Sequence, residues 1–412
     1  MKLIIIYFIK FTSLQLLLIT TFTFHAGYFT FIPLLHVTNA IRIIIINIFG
    51  SPMLYAFELS GEHEELPAAE IFACLKIEGL DFRLHTMVDQ CLVVEIAGNA
   101  ENVEKILTGT ITDRLAMTHH ILKVVGITEN TPDAILKLAE AFDSSDYIKE
   151  GQSFVVRAKR IKHHVDFPGE FLERKIGGCI YRKGFRANLK NPDVEFRVIL
   201  SEKAVLGTLL SSIDRSAYEA RTPQNKPFFH PGVLMPRVAR ALINLSGIKP
   251  GELILDPFCG TAGILVEAGL VGARVIGIDA QEKLVMGARM NLEAFKLDYA
   301  LMEGDACRMP LKEATIDAVV TDPPYGRSAA ILAESLEGLY SCALEEIERV
   351  LKPGGIAVVV SDKPASEYGE KAGLKVLNIY AQRVHRSLTR TITIFQKDNF
   401  SEELKDENKN RE

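Results

Sequence analysis

No cysteine of this 412-residue chain stands in a CxxC pair or beside a cluster of histidines. The six cysteines, at positions 74, 91, 179, 259, 307 and 342, are scattered. Neither a zinc nor an iron–sulfur site is expected, and no metal is implied. Dispersed cysteines in an α/β enzyme point to reduced thiols and a cytoplasmic setting. A G-x-G-x-x-G nicotinamide fingerprint is missing as well, which argues against a dehydrogenase. Residues 1–52 lack acidic side chains altogether; Lys2, Lys10 and Arg42 are their only charges. The uncharged span 11–41 is long enough for a membrane helix of ~20 residues. It is nevertheless rich in β-branched and aromatic residues and carries His25, Pro33 and His36. No A-x-A-type cleavage site follows a compact apolar core, so a secretory signal fits poorly. Composition changes abruptly to ordinary globular sequence at Ser51-Pro52-Met53.

What is present begins with 48% apolar residues, enough for two or three cores. The net charge of −5 hides an uneven distribution. Residues 53–150 hold 7 basic and 18 acidic side chains, 151–225 hold 14 and 8, and 226–397 hold 20 of each. Positive charge is thus concentrated in the middle segment. Between 151 and 190 ten Lys/Arg face only Asp166, Glu170 and Glu173. A strand-like run there puts Arg157 and Lys159 on one face, and a surface of this kind attracts a phosphate backbone. By composition alone a solvated charged face is the favoured reading. His163-His164 has no further ligands nearby in sequence and belongs with that basic face.

The motifs that carry chemistry lie further along. An apolar strand at 253–255 runs into Asp256, a loop with Gly260 and Gly263, and a helix over 264–270. A second strand, 274–278, ends in Asp279. This is the start of a doubly wound sheet, whose ligands sit at the carboxyl ends of the strands. Glycines let a ligand lie against backbone at a helix N-terminus. An acid ~20 residues after the glycine loop is placed to accept bonds from a ribose diol. A third strand over 300–303 is closed by Gly304-Asp305-Ala306, where Asp305 can reach an adenine amino group. A fourth, 316–321, delivers Asp322-Pro323-Pro324-Tyr325 to an edge of the fold. A carboxylate and the carbonyl beside a proline can both accept N–H bonds from the planar amine of a nucleobase, and Tyr325 offers a stacking surface. Cys259 sits inside the glycine loop and reads as a small packing residue, not as a covalent nucleophile. Phe228-Phe229-His230 reads as a lid over a ligand or as an aromatic plug at a domain junction. His385, Arg386, Ser387 and Arg390 fall at a hairpin between the last two strands, open either to RNA or to solvent.

DPFCGTAG, the acid at 279, the Gly-Asp-Ala element and DPPYG resemble four motifs of S-adenosylmethionine-dependent amino-methyltransferases. More narrowly, residues 221–245 and 385–395 resemble the archaeal tRNA guanine-N2 methyltransferases that act on guanosine at position 10 and carry an upstream RNA-binding THUMP domain. The likeness spans residues 53 to about 397, with Ala262 standing where the family often has glycine. It implies a C-terminal Rossmann-like α/β methyltransferase sheet at 226–397, preceded by α+β ferredoxin-like and THUMP domains at 53–200. A connector is expected at 201–225 and a disordered tail at 398–412. Chains of the family begin near MLYAFEL, so Met53 is the expected start; a membrane anchor is the alternative if residues 1–52 are translated. The implied cofactor is S-adenosyl-L-methionine, held by His230, Asp256, Phe258, Gly260, Thr261, Gly263, Asp279, Asp305 and Ala306. The implied catalytic residues are Asp322, Pro323, Pro324 and Tyr325. The implied partner is tRNA and not DNA, gripped by Arg157, Lys159, Arg160, Lys162, Arg182, Lys183 and Arg186. Transfer to another exocyclic amine, whether a different tRNA guanosine, adenine N6 or cytosine N4, stays open at this point. So does a non-catalytic RNA-binding protein.

Overall fold

The computed structural model describes residues 2–11, 14–25, 28–32, 52–325, 335–386 and 388–399. The expected tail from 400 onward, Gly326 and Ser387 lie outside the described residues. The chain divides into two units. In the first, the β-branched N-terminal segment forms an antiparallel meander of β1 (Lys2–Phe11), β2 (Leu14–His25) and β3 (Tyr28–Ile32). Among the described residues no helix is long and apolar enough to cross a membrane.

The second unit holds two sheets. Its first half runs β4 (Met53–Leu59), α1 (Leu66–Ile77), β5 (Phe82–Val88), β6 (Cys91–Ile96), α2 (Ala100–Ile106) and β7 (Thr118–Glu129). The strand order β5-β6-β4-β7 is the interleaved ferredoxin-like arrangement expected from the sequence. Next come α3 (Pro132–Ala141), β8 (Ser153–Arg160), α4 (Gly169–Arg182), β9 (Arg186–Ala187), β10 (Val194–Leu200) and β11 (Lys203–Ser212). The Thr131 hydroxyl accepts from Ala134 N and Pro132 sits in the first turn of α3, the start signal the sequence carries.

One expectation fails here. The segment 201–225 is not all connector, because β11 pairs with β10 on one side and with β7 on the other. Both halves therefore share one eight-stranded sheet, β5-β6-β4-β7-β11-β10-β8-β9. The reason is burial. Ala204, Val205 and Leu206 are 1% exposed or less, and a strand buried on both faces shows no polar alternation to betray it. Its charged flanks, Glu202 and Asp214, make the whole stretch look like surface.

The catalytic half packs against this sheet through a buried polar seam. On α1, Glu70 is fully buried, and its carboxylate accepts from Ala116 N at 3.0 Å, Met117 N at 2.9 Å and the Asn244 amide at 2.9 Å. Asn244 lies on α5 (Pro236–Leu245), and its amide oxygen accepts from Arg114 Nε at 3.1 Å. On the same helix Arg240 donates to the Asp113 carbonyl and pairs with buried Glu267 at 2.9 Å. Burial pushes the Glu70 carboxyl up to about 7, against three hydrogen bonds that pull it down.

Beyond the seam the chain forms β12 (Leu253–Asp256), α6 (Gly263–Leu270), β13 (Arg274–Asp279), α7 (Glu282–Ala294), β14 (Tyr299–Glu303) and β15 (Ile316–Thr321). It ends with α8 (Leu336–Val350), β16 (Leu351–Ser361), α9 (Ser366–Lys371), β17 (Leu374–His385) and β18 (Leu388–Lys397). The order β14-β13-β12-β15-β16-β18-β17 is parallel except for β18, which runs antiparallel to both its neighbours. Strand order reverses between β12 and β15, so their carboxyl ends open a crevice at a topological switch point. A second expectation is corrected by Cys307, after β14, and Cys342, on α8. They form a disulfide with Cα atoms 4.9 Å apart, whereas all six thiols were expected reduced. Thirty-five residues of sequence separate the two, so only the tertiary fold reveals the pairing. The remaining four cysteines are free and buried.

Replacing Glu70 with alanine leaves two backbone donors and an Asn amide unsatisfied inside the seam. The variant should lose about 3 kcal/mol or more of stability, read as a lowered melting temperature, while Glu70→Gln loses less.

Candidate active site at the carboxyl ends of the sheet

Asp256 closes β12 and is 1% exposed. One of its oxygens accepts from the Thr321 hydroxyl at 2.7 Å and from Phe258 N at 3.1 Å. Thr321 is the last residue of β15, so this carboxylate joins the glycine loop to the strand that presents Asp322. Burial raises the Asp256 carboxyl to about 7; Thr321 and Phe258 oppose the shift, and the charges of Asp322 and Asp279 add to it.

The loop after Asp256 is held from behind. Cys259 N donates to the Ile278 carbonyl at 2.9 Å, and Gly260 N donates to Asp279 at 2.9 Å. The other Asp279 oxygen accepts from Gln281 N at 3.0 Å. Asp279 thus stands behind the loop, with burial raising its carboxyl above the usual range. Gly260 adopts φ +51°, and a Cβ added there would meet nothing within 4 Å. That leaves the backbone there open to a ligand lying along it. Ala262 also lies in the left-handed region, φ 60°, so the alanine standing in place of the family's glycine is strained there.

His230, Asp256, Phe258, Gly260, Thr261, Gly263 and Asp322 line one cleft, together with the 231–234 turn, Cys259 and Ile264. The Phe-Phe-His segment divides between packing and the cleft. Phe228 is the plug: a Cβ on Gly287 of α7 would lie 2.2 Å from its ring. Its N–H and carbonyl are clasped by the Asn291 side chain at 3.0 Å each, and Asn291 also donates to the Thr261 carbonyl at 2.9 Å. His230 instead reaches the cleft. Asn291 lies on α7, and its bridging role needs the fold. Asp305 is exposed, accepts from Cys307 N at 2.9 Å and does not line the cleft, nor does buried Ala306. Cys259 is buried with its thiol pushed far up by burial, which fits packing and excludes a ready nucleophile.

At the tip of β15 the Tyr325 hydroxyl donates to Asp322. The tyrosine therefore orients the carboxylate, a role its reading as a stacking surface did not include. Burial raises Asp322 to about 6, against the pull of Tyr325 and of Arg390. Pro323 faces a small apolar pocket with Phe258, Leu339 and Tyr340, and Pro324 is half-buried. Arg390, assigned to a polar hairpin tip, is 9% exposed and sits at this site.

The seven basic residues are less uniform than their spacing suggests. Arg157 donates to the Leu189 carbonyl at 3.3 Å and Arg160 to that of Val165 at 2.9 Å. Arg182 pairs with Glu140 at 3.5 Å, and Lys183 lies over the Phe142 ring. Lys159 and Arg186 are exposed. Lys162 pairs with Asp89 at 2.8 Å. His164, grouped with the basic face, lies instead between Asp89 at 3.1 Å and Glu202 at 3.9 Å. That acidic junction, whose positive charge Lys162 supplies, is the one metal-compatible cluster among the described residues.

A parallel sheet with one antiparallel strand, β18, a glycine-lined cleft and a carboxylate at the neighbouring strand tip define a methyltransferase. Residues 223–392 match the RMKL-like methyltransferase domain family and 129–208 match the THUMP domain. The chain is 37% identical over 347 residues to the tRNA (guanine(10)-N2)-dimethyltransferase of Methanothermobacter thermautotrophicus, covering 82% of this chain and 98% of that one. It is 36% identical over 349 residues to the enzyme of the same name from Pyrococcus abyssi, covering 83% and 99%. A methyltransferase solved with SAH shares the fold at a TM-score of 0.50 and 16% identity, over 84% of this chain and 99% of that one. The chain belongs to the family of THUMP-containing tRNA guanine-N2 methyltransferases.

Asp256 ionises with difficulty in the folded state and freely in the unfolded one. Stability therefore falls as pH rises from about 4, the unfolded value, to about 7. Asp256→Asn removes this contribution, so melting temperatures at pH 5 and pH 8 should lie closer together in the variant than in the native protein.

Proposed function

We propose that the protein methylates the exocyclic N2 of a guanosine in tRNA, at position 10 and through to the dimethyl product, with S-adenosyl-L-methionine as donor. The observation that carries this reading is the presence of Asp322 and the Gly260–Gly263 loop in one cleft. The relatives' names supply the substrate; the DPPY tetrapeptide alone does not separate guanine from other amines.

The cleft fits the donor. Gly260 leaves backbone uncovered at the start of α6, Asp279 keeps lone pairs for ribose hydroxyls beyond its two backbone bonds, and His230 lies at the open side. When bound, the cofactor supplies an electrophilic methyl group on its sulfonium. The chain's own residues do the rest. The target base must leave its stack, at a cost of a few kcal/mol that contact with Tyr325 partly returns. Asp322 and the Pro323 carbonyl accept the two N–H bonds of the amine and fix its direction. Positive charge grows on that nitrogen during transfer, so a buried carboxylate stabilises the transition state more than the ground state. The basic residues around β8 and α4 bind the phosphate backbone, which makes affinity fall with salt. A cytoplasmic location is part of this reading and is compatible with a tRNA substrate.

Incubation with labelled cofactor and unmodified tRNA, followed by mapping of the modified nucleoside, tests the reading; label on any base atom other than guanine N2 rejects it. Asp322→Ala should retain cofactor binding and lose at least ~10²-fold in turnover. Because Asp322 is the stronger acceptor for its N–H when ionised, kcat/KM should climb with pH to about 6 and then level off. Asp279→Ala should weaken cofactor binding by calorimetry.

A further inference from the structure

Three segments far apart in sequence bring metal-ligating side chains together at one end of the eight-stranded sheet. Asp89 stands in the turn between β5 and β6, in the ferredoxin-like half. His164 follows β8, and Glu202 stands in the turn between β10 and β11, both in the THUMP half. His164 Nε2 lies 3.1 Å from Asp89 Oδ2 and 3.9 Å from Glu202 Oε1. One ligand atom from each of the three falls within 4.8 Å of the other two. Atoms that share a first-row divalent ion at ~2.0–2.2 Å stand roughly 3–4 Å apart, so small side-chain rotations close the set. The ligands are also held from behind. Glu202 Oε2 accepts from Asp89 N and from the Ser201 hydroxyl, each at 2.7 Å, which leaves Oε1 for an ion. The Asn130 amide donates to the carbonyls of His164 at 3.1 Å and Ser201 at 2.7 Å, tying the two THUMP segments to each other. Outer partners of this kind orient ligands before an ion arrives.

A separate observation points to a bound species. Asp89, His164 and Glu202 line a cleft of about 920 Å³. Ser60, 2% exposed, lines the same cleft with a hydroxyl that has no partner among the described residues. A buried hydroxyl left unmade opposes folding.

The geometry points to a divalent transition-metal site at Asp89, His164 and Glu202, bridging the ferredoxin-like and THUMP halves and separate from the methyl-transfer cleft. One imidazole and two carboxylates suit Zn²⁺ or Mn²⁺, and no thiolate is present to favour a softer ion. Water from the cleft completes the coordination and gives the Ser60 hydroxyl its missing partner. Lys162 is the internal competitor. Its ammonium lies 2.8 Å from Asp89 Oδ2, on a side chain that is 65% exposed and has room to swing away. Two carboxylates already balance the charge of one divalent ion, so the ion displaces Lys162 and does not join it.

Calorimetric titration of the untagged, chelator-stripped full chain with Zn²⁺, and separately with Mn²⁺, tests the assignment. One ion per chain should bind and raise the melting temperature by at least ~2 °C at a hundredfold excess over Kd. Asp89→Asn and His164→Ala should each weaken binding at least ~10-fold, the loss that even an outer partner produces. Lys162→Met should instead tighten it at least ~5-fold, because a cation ~4 Å from the ion's position is gone. Opposite effects at adjoining residues distinguish a built site from a chance one. An adventitious ion only, with affinity unaltered by Asp89→Asn and His164→Ala, overturns the proposal. So does failure of both ions to bind, or unchanged affinity in Lys162→Met. With Co²⁺ as probe, thiolate charge-transfer absorption puts the ion on a cysteine and is equally decisive against the site. If His164→Ala does not fold, Glu202→Gln replaces it with the same expected loss. None of these measurements uses methyl transfer, so failure of the methylation reading is a distinguishable result.

Discussion

The Asp256–Thr321 hydrogen bond holds together two parts of the chain 65 residues apart. β12 and β15 are neighbours in the sheet, but their recorded pairing reaches only Leu255 and Val319. Beyond those residues no ladder fixes how the glycine loop sits against the Asp-Pro-Pro-Tyr turn. The side-chain bond does so, and through Phe258 N the same oxygen also sets the first turn of the loop. Methyl transfer needs donor carbon and acceptor nitrogen within near-attack distance. A buried carboxylate at the root of both segments is a direct way to hold that distance, and the opposition of burial to its ionisation is the cost of the position.

A second level of constraint lies in the seam. Asn244 is contacted by Glu70 and by Arg114, which come from opposite ends of the ferredoxin-like portion, and it sits on the helix that leads into β12. Arg240 and Arg221 both engage Glu267 on α6, the helix that begins at the glycine loop. The elements that shape the cleft are thus bonded to the half that carries the THUMP fold. Because β11 hydrogen-bonds to both β7 and β10, that half is one sheet and not two hinged pieces. In the proposed reading, a tRNA held on the basic strands around β8 would meet a cleft whose position relative to them is set by buried, directional bonds. Isolated surface pairs such as Arg182–Glu140 could not do this, because solvent screens them and side-chain entropy loosens them.

Legibility followed the range of each interaction. Asp279 and Asp322 were readable because a parallel strand ends where its apolar run ends, and a doubly wound sheet puts those ends together. The Thr131 cap was readable for a similar reason: its bond is to Ala134, three residues on. β11 was missed because burial on both faces erases the period that marks a strand. His164 and Arg390 were misplaced for a different reason. Each carries charge in a polar stretch, the usual composition of surface, yet the partners that draw them inward, Asp89 and Asp322, are 75 and 68 residues away. The Cys307–Cys342 pair was hidden in the same way. Phe228 and His230 show the limit most plainly, since one packs on α7 while the other, two residues on, lines the cleft.

The chemistry of the acceptor end follows from what Asp322 lacks. Among the described residues no ion pair occupies it; burial raises it to about 6, while Tyr325 donates to one of its oxygens. A carboxylate in water would already be saturated by solvent and would gain little from an incoming amine. Partial burial reduces that competition and leaves acceptor capacity for the N–H of the proposed substrate amine. Arg390 supplies enough positive charge to oppose protonation without a direct pairing that would occupy the carboxylate. Tyr325 does the same by a neutral hydrogen bond that also fixes the direction of the oxygens. The site therefore keeps a strong acceptor ionised and unfilled. Complete neutralisation of Asp322 by an arginine fork would stabilise the resting protein and remove the acceptor that the reaction uses.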